Sequence, residues 1–296
     1  MIRRILRRLF KRQLSKLVVI NIDGSQRTVI FEYQGLIEAP NWSPDGRWLV
    51  FNGDGMLFRI DVTNAAASMR IPVMIKTGEI RGLTNDHVIA PDGKTIFFTA
   101  NGIVYSVPFL GGPTQRVSMQ PEASTPTQYY VHGISPDGQM LSCIGYTAGR
   151  KDALAVCLLP ATGGEARRIT QTEKPVDGAE FSPDGQWIYF NGELHANVPG
   201  HSQLYRMRVD GSDIQQLTFD SRVNWFPHIS PDGKTLVYLS YAAGTQGHPA
   251  NVDVILRCLM IGGGEPKDVV ALYGGQGTIN TNSWSPDGQR FAFVEF

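Results

Sequence analysis

One four-residue motif, Ser-Pro-Asp-Gly, recurs six times along this chain of 296 residues. Proline presets the first dihedral of a turn, aspartate bonds back to the backbone, and glycine accepts the positive φ that closes a tight reversal. An apolar residue precedes each copy and an apolar, β-rich run follows it. Each copy therefore predicts a β-hairpin. The copies begin at Ser43, Ala90, Ser135, Ser182, Ser230 and Ser285, so alanine replaces serine in the second.

The spacing of the motif predicts the architecture. Successive copies begin 47, 45, 47, 48 and 55 residues apart. A repeat of about 40 to 50 residues that holds four short strands is typical of a propeller blade. We therefore predict an all-β fold, a six-bladed β-propeller built from four-stranded antiparallel blades.

The two ends of the sequence complete each other. The last repeat ends after its second strand, whereas residues 16–22 and 27–31 read as a third and a fourth strand with no first or second before them. We expect the N- and C-terminal strands to close the last blade together, which removes exposed sheet edges. The predicted domains are a basic amphipathic extension at residues 1–15 and a propeller at residues 16–296.

The repeats resemble a known family. Ser-Pro-Asp-Gly turns that alternate with Asp-Gly-Ser turns, as at 210–212, and with Gln-Leu-Thr strands, as at 216–218, are similar to the TolB-like six-bladed β-propeller family. The likeness covers roughly residues 16–296. Propellers of this type are known as protein-binding domains, as lids on prolyl-oligopeptidase-like hydrolases and as the scaffold of oligogalacturonate lyases, so the resemblance implies the fold and leaves the function open.

The first sixteen residues differ from the rest. They carry seven positive charges and no acidic residue, and their apolar residues fall at helical spacing. The pattern predicts a basic amphipathic helix that makes weak contact with an anionic membrane surface through residues 1–16, or binds a partner; a mobile extension is the simpler alternative. The longest apolar run before Lys16 is two residues, too short for a secretory signal, so we expect a cytoplasmic protein.

The composition fits one compact body. The chain has 27 basic and 27 acidic residues, and removing the seven positive charges of the first sixteen residues leaves 20 against 27, or −7 for the propeller. Nucleic-acid binding is therefore not expected. Cys143, Cys157 and Cys258 lie in strand patterns with no disulfide or zinc spacing, so we expect buried thiols. A closed propeller of this size is expected to be a monomer.

The segments just before the turns are unusually polar. In a propeller the first strand of each blade lines the central channel, so its side chains face a shared pocket. We predict that this pocket binds a small polar molecule, a carbohydrate or oligosaccharide, because amides and carboxylates bond hydroxyl groups while aromatic faces pack on sugar rings. The candidate ligand-binding residues are Glu38, Asn41, Asn85, Asp86, His87, Tyr130, His132, Asp177, Glu180, Trp225, His228, Gln276 and Asn280.

Three alternatives remain open on the sequence. The first is a carbohydrate-active lyase or hydrolase, with Glu180, His228 and His132 as candidate catalytic residues and as candidate ligands of a divalent metal. The resemblance to oligogalacturonate lyases implies such a metal, but six repeats rather than seven and the lack of a His-x-His motif depart from that pattern. The second is a protein-interaction scaffold with a protein partner. The third is a polar channel that is merely solvated.

Two loops are longer than the connections around them. Residues 193–202 and 242–251 join the second and third strands of the fourth and fifth repeats and carry His195, His201, His248 and Asn251. Long loops carry function more often than short ones. We expect these loops to rim the pocket on the side opposite the Ser-Pro-Asp-Gly turns. No Gly-x-Ser-x-Gly elbow, phosphate-binding loop or transmembrane run is present.

Overall fold

The computed structural model describes residues 13–63, 70–119, 127–150 and 153–296. In these ranges the chain forms antiparallel sheets arranged as six blades, with no helix, and confirms the predicted six-bladed β-propeller. Nothing in the described part is a helix long and apolar enough to cross a bilayer. Residues 1–12 of the predicted basic extension lie outside the described residues, whereas Leu14 and Ser15 belong to the first strand.

The strands follow the chain from blade to blade. The first two strands are β1 (Leu14–Asn21) and β2 (Thr28–Gln34). Blade 1 consists of β3 (Ile37–Trp42), β4 (Trp48–Gly53), β5 (Met56–Asp61) and β6 (Val73–Ile75). Blade 2 consists of β7 (Leu83–Ile89), β8 (Thr95–Ala100), β9 (Ile103–Pro108) and β10 (Gln115–Arg116). Blade 3 consists of β11 (Thr127–Ile134), β12 (Met140–Thr147), β13 (Leu154–Pro160) and β14 (Arg167–Arg168).

The remaining blades repeat this order. Blade 4 consists of β15 (Val176–Phe181), β16 (Trp187–Gly192), β17 (Gln203–Arg208) and β18 (Gln215–Gln216). Blade 5 consists of β19 (Val223–Ile229), β20 (Thr235–Tyr241), β21 (Ala250–Met260) and β22 (Lys267–Gly275). In blade 6 the last strand, β23 (Arg290–Glu295), pairs with β1, and β1 pairs with β2. The outermost strands β14 and β18 are each only two residues long.

Both ends of the chain close the ring, as predicted. Strand β1 lies between β2 and β23, with Leu17 opposite Val294 and Val18 opposite Phe293. The innermost position of blade 6 is held by an irregular segment, residues 278–284, rather than by a regular strand. It is tied to β23 by the Val294 N–H, which donates to the Thr278 carbonyl at 3.1 Å, and by a bridge between Trp284 and Phe291.

The hydrophobic core lies between the blades. Because side chains alternate across a strand, neighbouring residues of β12 face different blades. Ile144 packs in a cluster with Ile188 and Phe190 of blade 4, whereas Leu141 and Cys143 pack in a cluster with blade 2. Each blade thus buries both of its faces, which holds the ring together from blade to blade. Cys143 and Cys157 are buried as predicted, and Cys258 is partly buried.

Side-chain hydrogen bonds fix each Ser-Pro-Asp-Gly hairpin. In blade 5 the Ser230 hydroxyl donates to the Asp232 carboxylate at 2.6 Å and accepts the Thr235 N–H at 3.0 Å, while the Lys234 N–H donates to the same carboxylate at 3.1 Å. Gly233 takes a φ of +72°, as the turn requires. The same serine bonds occur in blades 1, 3, 4 and 6. Blade 2 has Ala90 in this position and lacks the hydroxyl.

We predict that the turn serine stabilises the blade that contains it. Ser230→Ala removes two hydrogen bonds and should lower the free energy of unfolding by about 1 to 2 kcal/mol, because each hydrogen bond contributes about 1 kcal/mol net. Ala90→Ser is the matched reverse change and should raise the free energy of unfolding by up to about 1 kcal/mol. Urea unfolding followed by tryptophan fluorescence measures both. Equal midpoints for all three proteins would contradict this role of the serine.

Candidate functional site

Two cavities lie along the central channel. One, of about 370 Å³, lies on the face that carries the Ser-Pro-Asp-Gly turns and is lined in part by Pro91, Pro136, Pro183 and Pro231. We call it the turn-face cavity. The other, of about 500 Å³, lies where the innermost strands begin, and we call it the rim pocket. His132 lines both, so the two cavities meet at this side chain.

Every blade contributes to the rim pocket. Its polar wall combines carboxylates, amides and imidazoles from the innermost strands, and its apolar wall is aromatic and aliphatic. The lining residues are Glu38 on β3, Thr84, Asn85 and Asp86 on β7, Tyr130 and His132 on β11, Ile144 on β12, Leu154 on β13, Asp177 on β15, Phe226 on β19, His248 in the loop after β20, Gln276, and Asn280 before β23.

The structure separates the thirteen predicted ligand-binding residues into three groups. The rim pocket brings together Glu38, Asn85, Asp86, Tyr130, His132, Asp177, Gln276 and Asn280. Asn41 and Glu180 line the turn-face cavity. His87, Trp225 and His228 line neither of these two cavities.

Bulges in the innermost strands explain this separation. The pairing of β3, β7, β11, β15 and β19 with the second strand of the same blade shifts register near the middle. At the shifts in blades 1, 4 and 5, Ala39, Gly178 and Phe226 take left-handed φ values of +52°, +65° and +54°. Strict alternation therefore fails along these strands. In blade 5 it is Phe226, and not the predicted Trp225, that lines the pocket.

Five residues that line the rim pocket are not among the ligand-binding candidates predicted from the sequence: Thr84, Ile144, Leu154, Phe226 and His248. Phe226 stacks on the His132 ring with centroids 6.2 Å apart, and its N–H donates to the Asn191 side chain at 3.0 Å. His248 packs against Trp225, with ring centroids 4.4 Å apart, and against Phe226 at 5.4 Å. The expectation that loop 242–251 rims the pocket gave the only sequence signal for His248.

The prediction that the other long loop, residues 193–202, also rims the pocket is wrong, because none of its residues lines the pocket. In residues 193–202, His195 Nδ1 lies 2.9 Å from Gln216 Oε1, and His201 Nε2 lies 3.0 Å from the Asp220 carbonyl. Neither histidine lines the rim pocket. These two imidazoles brace the outer part of blade 4 and its contact with blade 5.

His132 is the electrostatic centre of the rim pocket. Its Nε2 lies 3.1 Å from Asp177 Oδ1 and 3.9 Å from Asp86 Oδ1, and its Nδ1 lies 3.3 Å from the Asn280 carbonyl. Burial works to lower the pKa of His132, but the hydrogen bond to Asp177 and the two negative charges outweigh burial and raise the pKa to about 9. His132 is therefore an imidazolium near neutral pH, and it donates from both nitrogens.

The three carboxyl groups of the rim pocket differ in the positive charges and hydrogen bonds that stabilise their ionised form. Burial works to raise the pKa of Asp177, but His132, His248 and the Gly178 N–H lower it overall. The pKa of Asp86 is raised, because burial exceeds the effect of the more distant His132. Burial also raises the pKa of Glu38 to about 7, against a single hydrogen bond from the Asn85 amide at 3.3 Å. Asp177 is thus ionised, while Glu38 titrates near neutral pH.

His87 has a structural environment. It is fully buried, and its Nε2 lies 3.4 Å from the carbonyl of Val50 in the neighbouring blade. Burial lowers the pKa of His87 to about 4, so the ring is neutral. Its Nδ1 has no hydrogen-bond partner among the described residues.

Glu180 and His228 form a closed polar network. His228 Nδ1 lies 2.6 Å from Glu180 Oε2, and its Nε2 contacts the Ile279 carbonyl. The other oxygen of Glu180 accepts the Ile229 N–H at 3.2 Å and the Asn282 amide at 2.5 Å. Asn282 in turn contacts Asn41 through its carbonyl. These bonds link blades 1, 4, 5 and 6 around the central channel.

The three candidate metal ligands are engaged in different contacts. His132 faces Asp177, whereas both ring nitrogens of His228 are occupied by Glu180 and by a backbone carbonyl. Within the described ranges, no group of three or more His, Cys, Asp or Glu side chains is arranged to hold a metal ion. The three residues therefore do not fit a common metal site in this conformation.

Known proteins share this fold. The TolB beta propeller domain matches residues 130–255. An uncharacterised protein of Agrobacterium fabrum is 35% identical over 287 residues, which are 95% of this chain and 92% of that protein. A structure from Agrobacterium tumefaciens that carries a provisional TolB name has a TM-score of 0.85 at 35% identity, covering 95% and 97% of the two chains. An oligogalacturonate lyase in complex with manganese shares the fold alone, with a TM-score of 0.56 and 16% identity. The match covers 88% of this chain and 74% of the lyase chain.

We predict that ionisation of Glu38 destabilises the folded protein. A carboxyl whose pKa rises from its ordinary value of 4.5 to about 7 on folding causes stability to fall between these two pH values and to stay low above them. At pH 8 the free energy of unfolding of Glu38→Gln, measured by urea unfolding, should therefore exceed that of the unaltered protein by an amount on the order of 1 to 3 kcal/mol. At pH 4 the two proteins should differ little. A difference independent of pH would contradict the assignment.

We predict a different result for Glu180. Glu180→Ala leaves His228, the Ile229 N–H and the Asn282 amide without their acceptor in a buried site, so it should lower the free energy of unfolding by about 3 kcal/mol. Urea unfolding measures the loss. Exposed Glu79→Ala is the control and should change stability by less than about 0.5 kcal/mol. Similar effects for the two variants would show that the network does not stabilise the ring.

Proposed function

This chain belongs to the TolB-like family of six-bladed β-propellers, and on that premise we propose that it is a binding protein whose rim pocket takes a small carbohydrate. The family accounts for the fold and not for the ligand, because one fold supports many functions. The ligand class is inferred from the side chains of the pocket.

One observation carries the proposal. Side chains from all six blades converge on a cavity of about 500 Å³ that combines carboxylates and amides with the rings of Tyr130 and Phe226. Cavities of about 300 to 1,000 Å³ hold small ligands, and a few placed polar groups on an apolar wall orient them. Sugar hydroxyl groups can bond Asn85, Asp177 and Asn280, while the C–H face of the ring can pack on Tyr130.

The backbone of Phe226 gives separate support. A left-handed φ of +54° is rare for a bulky side chain, and the Asn191 side chain holds the Phe226 N–H in this conformation. Strained backbone of this kind persists where the surrounding structure enforces it, and it clusters at ligand sites. Here the strain presents the Phe226 ring to the rim pocket.

The pocket is also preorganised. Asp177 is fixed by His132 at 3.1 Å, by His248 at 3.7 Å and by the Gly178 N–H at 2.8 Å. Tyr130 is held by a hydrogen bond from its hydroxyl to Gln128 at 3.0 Å. Groups that are held before a ligand arrives lose less conformational entropy on binding.

Thermal-shift measurements with a panel of oligosaccharides test the proposal. A ligand that binds only the folded state raises the melting temperature, and saturation at about 100 times Kd corresponds to about 2.7 kcal/mol. We expect at least one tetrasaccharide of the panel, which contains cellotetraose, deacetylated chitotetraose and tetragalacturonate, to raise it. The shift should persist in EDTA, because the described pocket residues do not form a metal site.

Two variants locate the binding site. Tyr130→Ala removes an aromatic wall of the pocket and Asp177→Asn removes its fixed negative charge, and each should weaken binding by about tenfold or more, measured by calorimetry. Tyr273→Ala is the matched control, because Tyr273 is exposed on the outer strand β22. No thermal shift with any oligosaccharide would contradict the proposal and favour the protein-interaction alternative. Turnover of a bound sugar would favour the lyase or hydrolase alternative.

A further inference from the structure

The charges of the rim pocket narrow the class of ligand. Glu38, Asp86 and Asp177 face histidines 132 and 248 across the cavity, and among the described residues no arginine or lysine lines it. A site for a uronate or a phosphate ordinarily presents such cations. The pocket therefore favours a ligand that is neutral or positively charged.

The two histidines do not neutralise all three carboxyl groups. Both lie nearest to Asp177, at 3.1 Å and 3.7 Å, whereas the nearest imidazole nitrogen to Asp86 is 3.9 Å away. Asp86 Oδ2 accepts the Thr84 hydroxyl at 2.8 Å, and within the described ranges no donor lies within hydrogen-bond distance of Asp86 Oδ1. The Asp86 residue is only 6% exposed and lines the cavity, so one of its carboxylate oxygens is left for a ligand.

Glu38 lies on the adjacent innermost strand, and its carboxyl group likewise has few partners that stabilise its ionised form. Its only hydrogen bond in the described structure comes from the neutral Asn85 amide at 3.3 Å. Burial raises the pKa of Glu38 and of Asp86, and at Asp86 the charges of His132 and His248 do not outweigh it. A positive group placed between the two strands would neutralise both carboxyl groups and provide the donors that they lack.

The aromatic wall adds to the same preference. Tyr130 and Phe226 line the cavity together with these carboxyl groups. The face of an aromatic ring carries partial negative charge and attracts an ammonium group that lies within about 6 Å. Carboxylates and aromatic rings together are the side chains that recognise amines.

We propose that the ligand carries an ammonium group on its sugar, and that this group binds between Glu38 and Asp86. The inference rests on the proposed carbohydrate-binding function and specifies it: a free amino sugar is preferred over its acetylated, neutral and acidic counterparts. As proposed above, the hydroxyl groups of the sugar bond Asn85, Asp177 and Asn280, and the C–H face of its ring packs on Tyr130.

Matched oligosaccharides separate this inference from the proposed function. Deacetylated chitotetraose, its fully N-acetylated form, cellotetraose and tetragalacturonate differ chiefly in the groups on the sugar ring. Calorimetry on the unaltered protein at about pH 6.5 should give an affinity for deacetylated chitotetraose at least about tenfold higher than for the other three, since a charged hydrogen bond contributes about 1.5 to 3 kcal/mol.

Two variants and one control assign the preference to the carboxyl groups. Asp86→Asn and Glu38→Gln keep the size of each side chain and remove its charge, so each should reduce the ratio between the amino and the N-acetylated tetrasaccharide to less than about threefold. Glu79→Gln removes an exposed charge and should keep the full ratio, which controls for the net charge of the protein. Circular dichroism confirms folding, and if a variant does not fold, the comparison on the unaltered protein decides.

The possible outcomes are distinct. Equal binding of the amino, N-acetylated and neutral forms overturns the ammonium inference and leaves the carbohydrate-binding function in place. Tightest binding of tetragalacturonate also overturns it and identifies an acidic sugar as the ligand. A preference that survives in both carboxyl variants overturns the assignment to Glu38 and Asp86. Absence of binding by all four oligosaccharides overturns the proposed function and the inference together.

Discussion

Closure of the ring by strands from opposite ends of the chain is the constraint on which the rest depends. Strand β1 pairs with β23 across almost the whole sequence, so the sixth blade cannot form until both ends meet. The same closure brings Glu38 of blade 1 to Gln276 and Asn280, and it lets the Ala39 N–H donate to the Gly277 carbonyl at 2.7 Å. Without it, the rim pocket has no complete wall. The entropy lost in bringing distant segments together is repaid only when inter-blade packing is complete.

Three histidines on innermost strands have different chemistry, and their partners are the cause. His87 is buried beside one backbone carbonyl and is neutral. His228 contacts Glu180 and a carbonyl in a closed network that links blades. His132 has similar types of partner, but it lies against a cavity and beside two carboxyl groups. The His228 imidazole therefore stabilises the contacts between blades, whereas the His132 imidazole sets the charge of the rim pocket.

The sequence predicted the blades well because their signals are local. Ser-Pro-Asp-Gly specifies a turn within four residues, and the regular spacing of its copies specifies the number of blades. The direction of individual side chains on the innermost strands could not be predicted in the same way. His87 and His132 both lie three residues before the turn motif, yet only His132 lines the pocket, since the bulges fall at different places in β7 and β11. The left-handed conformation of Phe226 depends on a hydrogen bond that its N–H donates to Asn191 in another blade, which no local pattern reveals.

The carboxyl groups of this propeller serve stability and binding in different places. At the turns, the Ser230 hydroxyl and the Lys234 N–H lower the pKa of Asp232, so the ionised group stabilises the hairpin above its ordinary titration range. At the rim pocket, burial raises the pKa of Glu38 and Asp86, so ionisation of these groups destabilises the fold. Hydrophobic residues of similar size would avoid this cost. Carboxyl groups that lower stability and converge on a cavity, with few partners of their own, have the properties of a binding site.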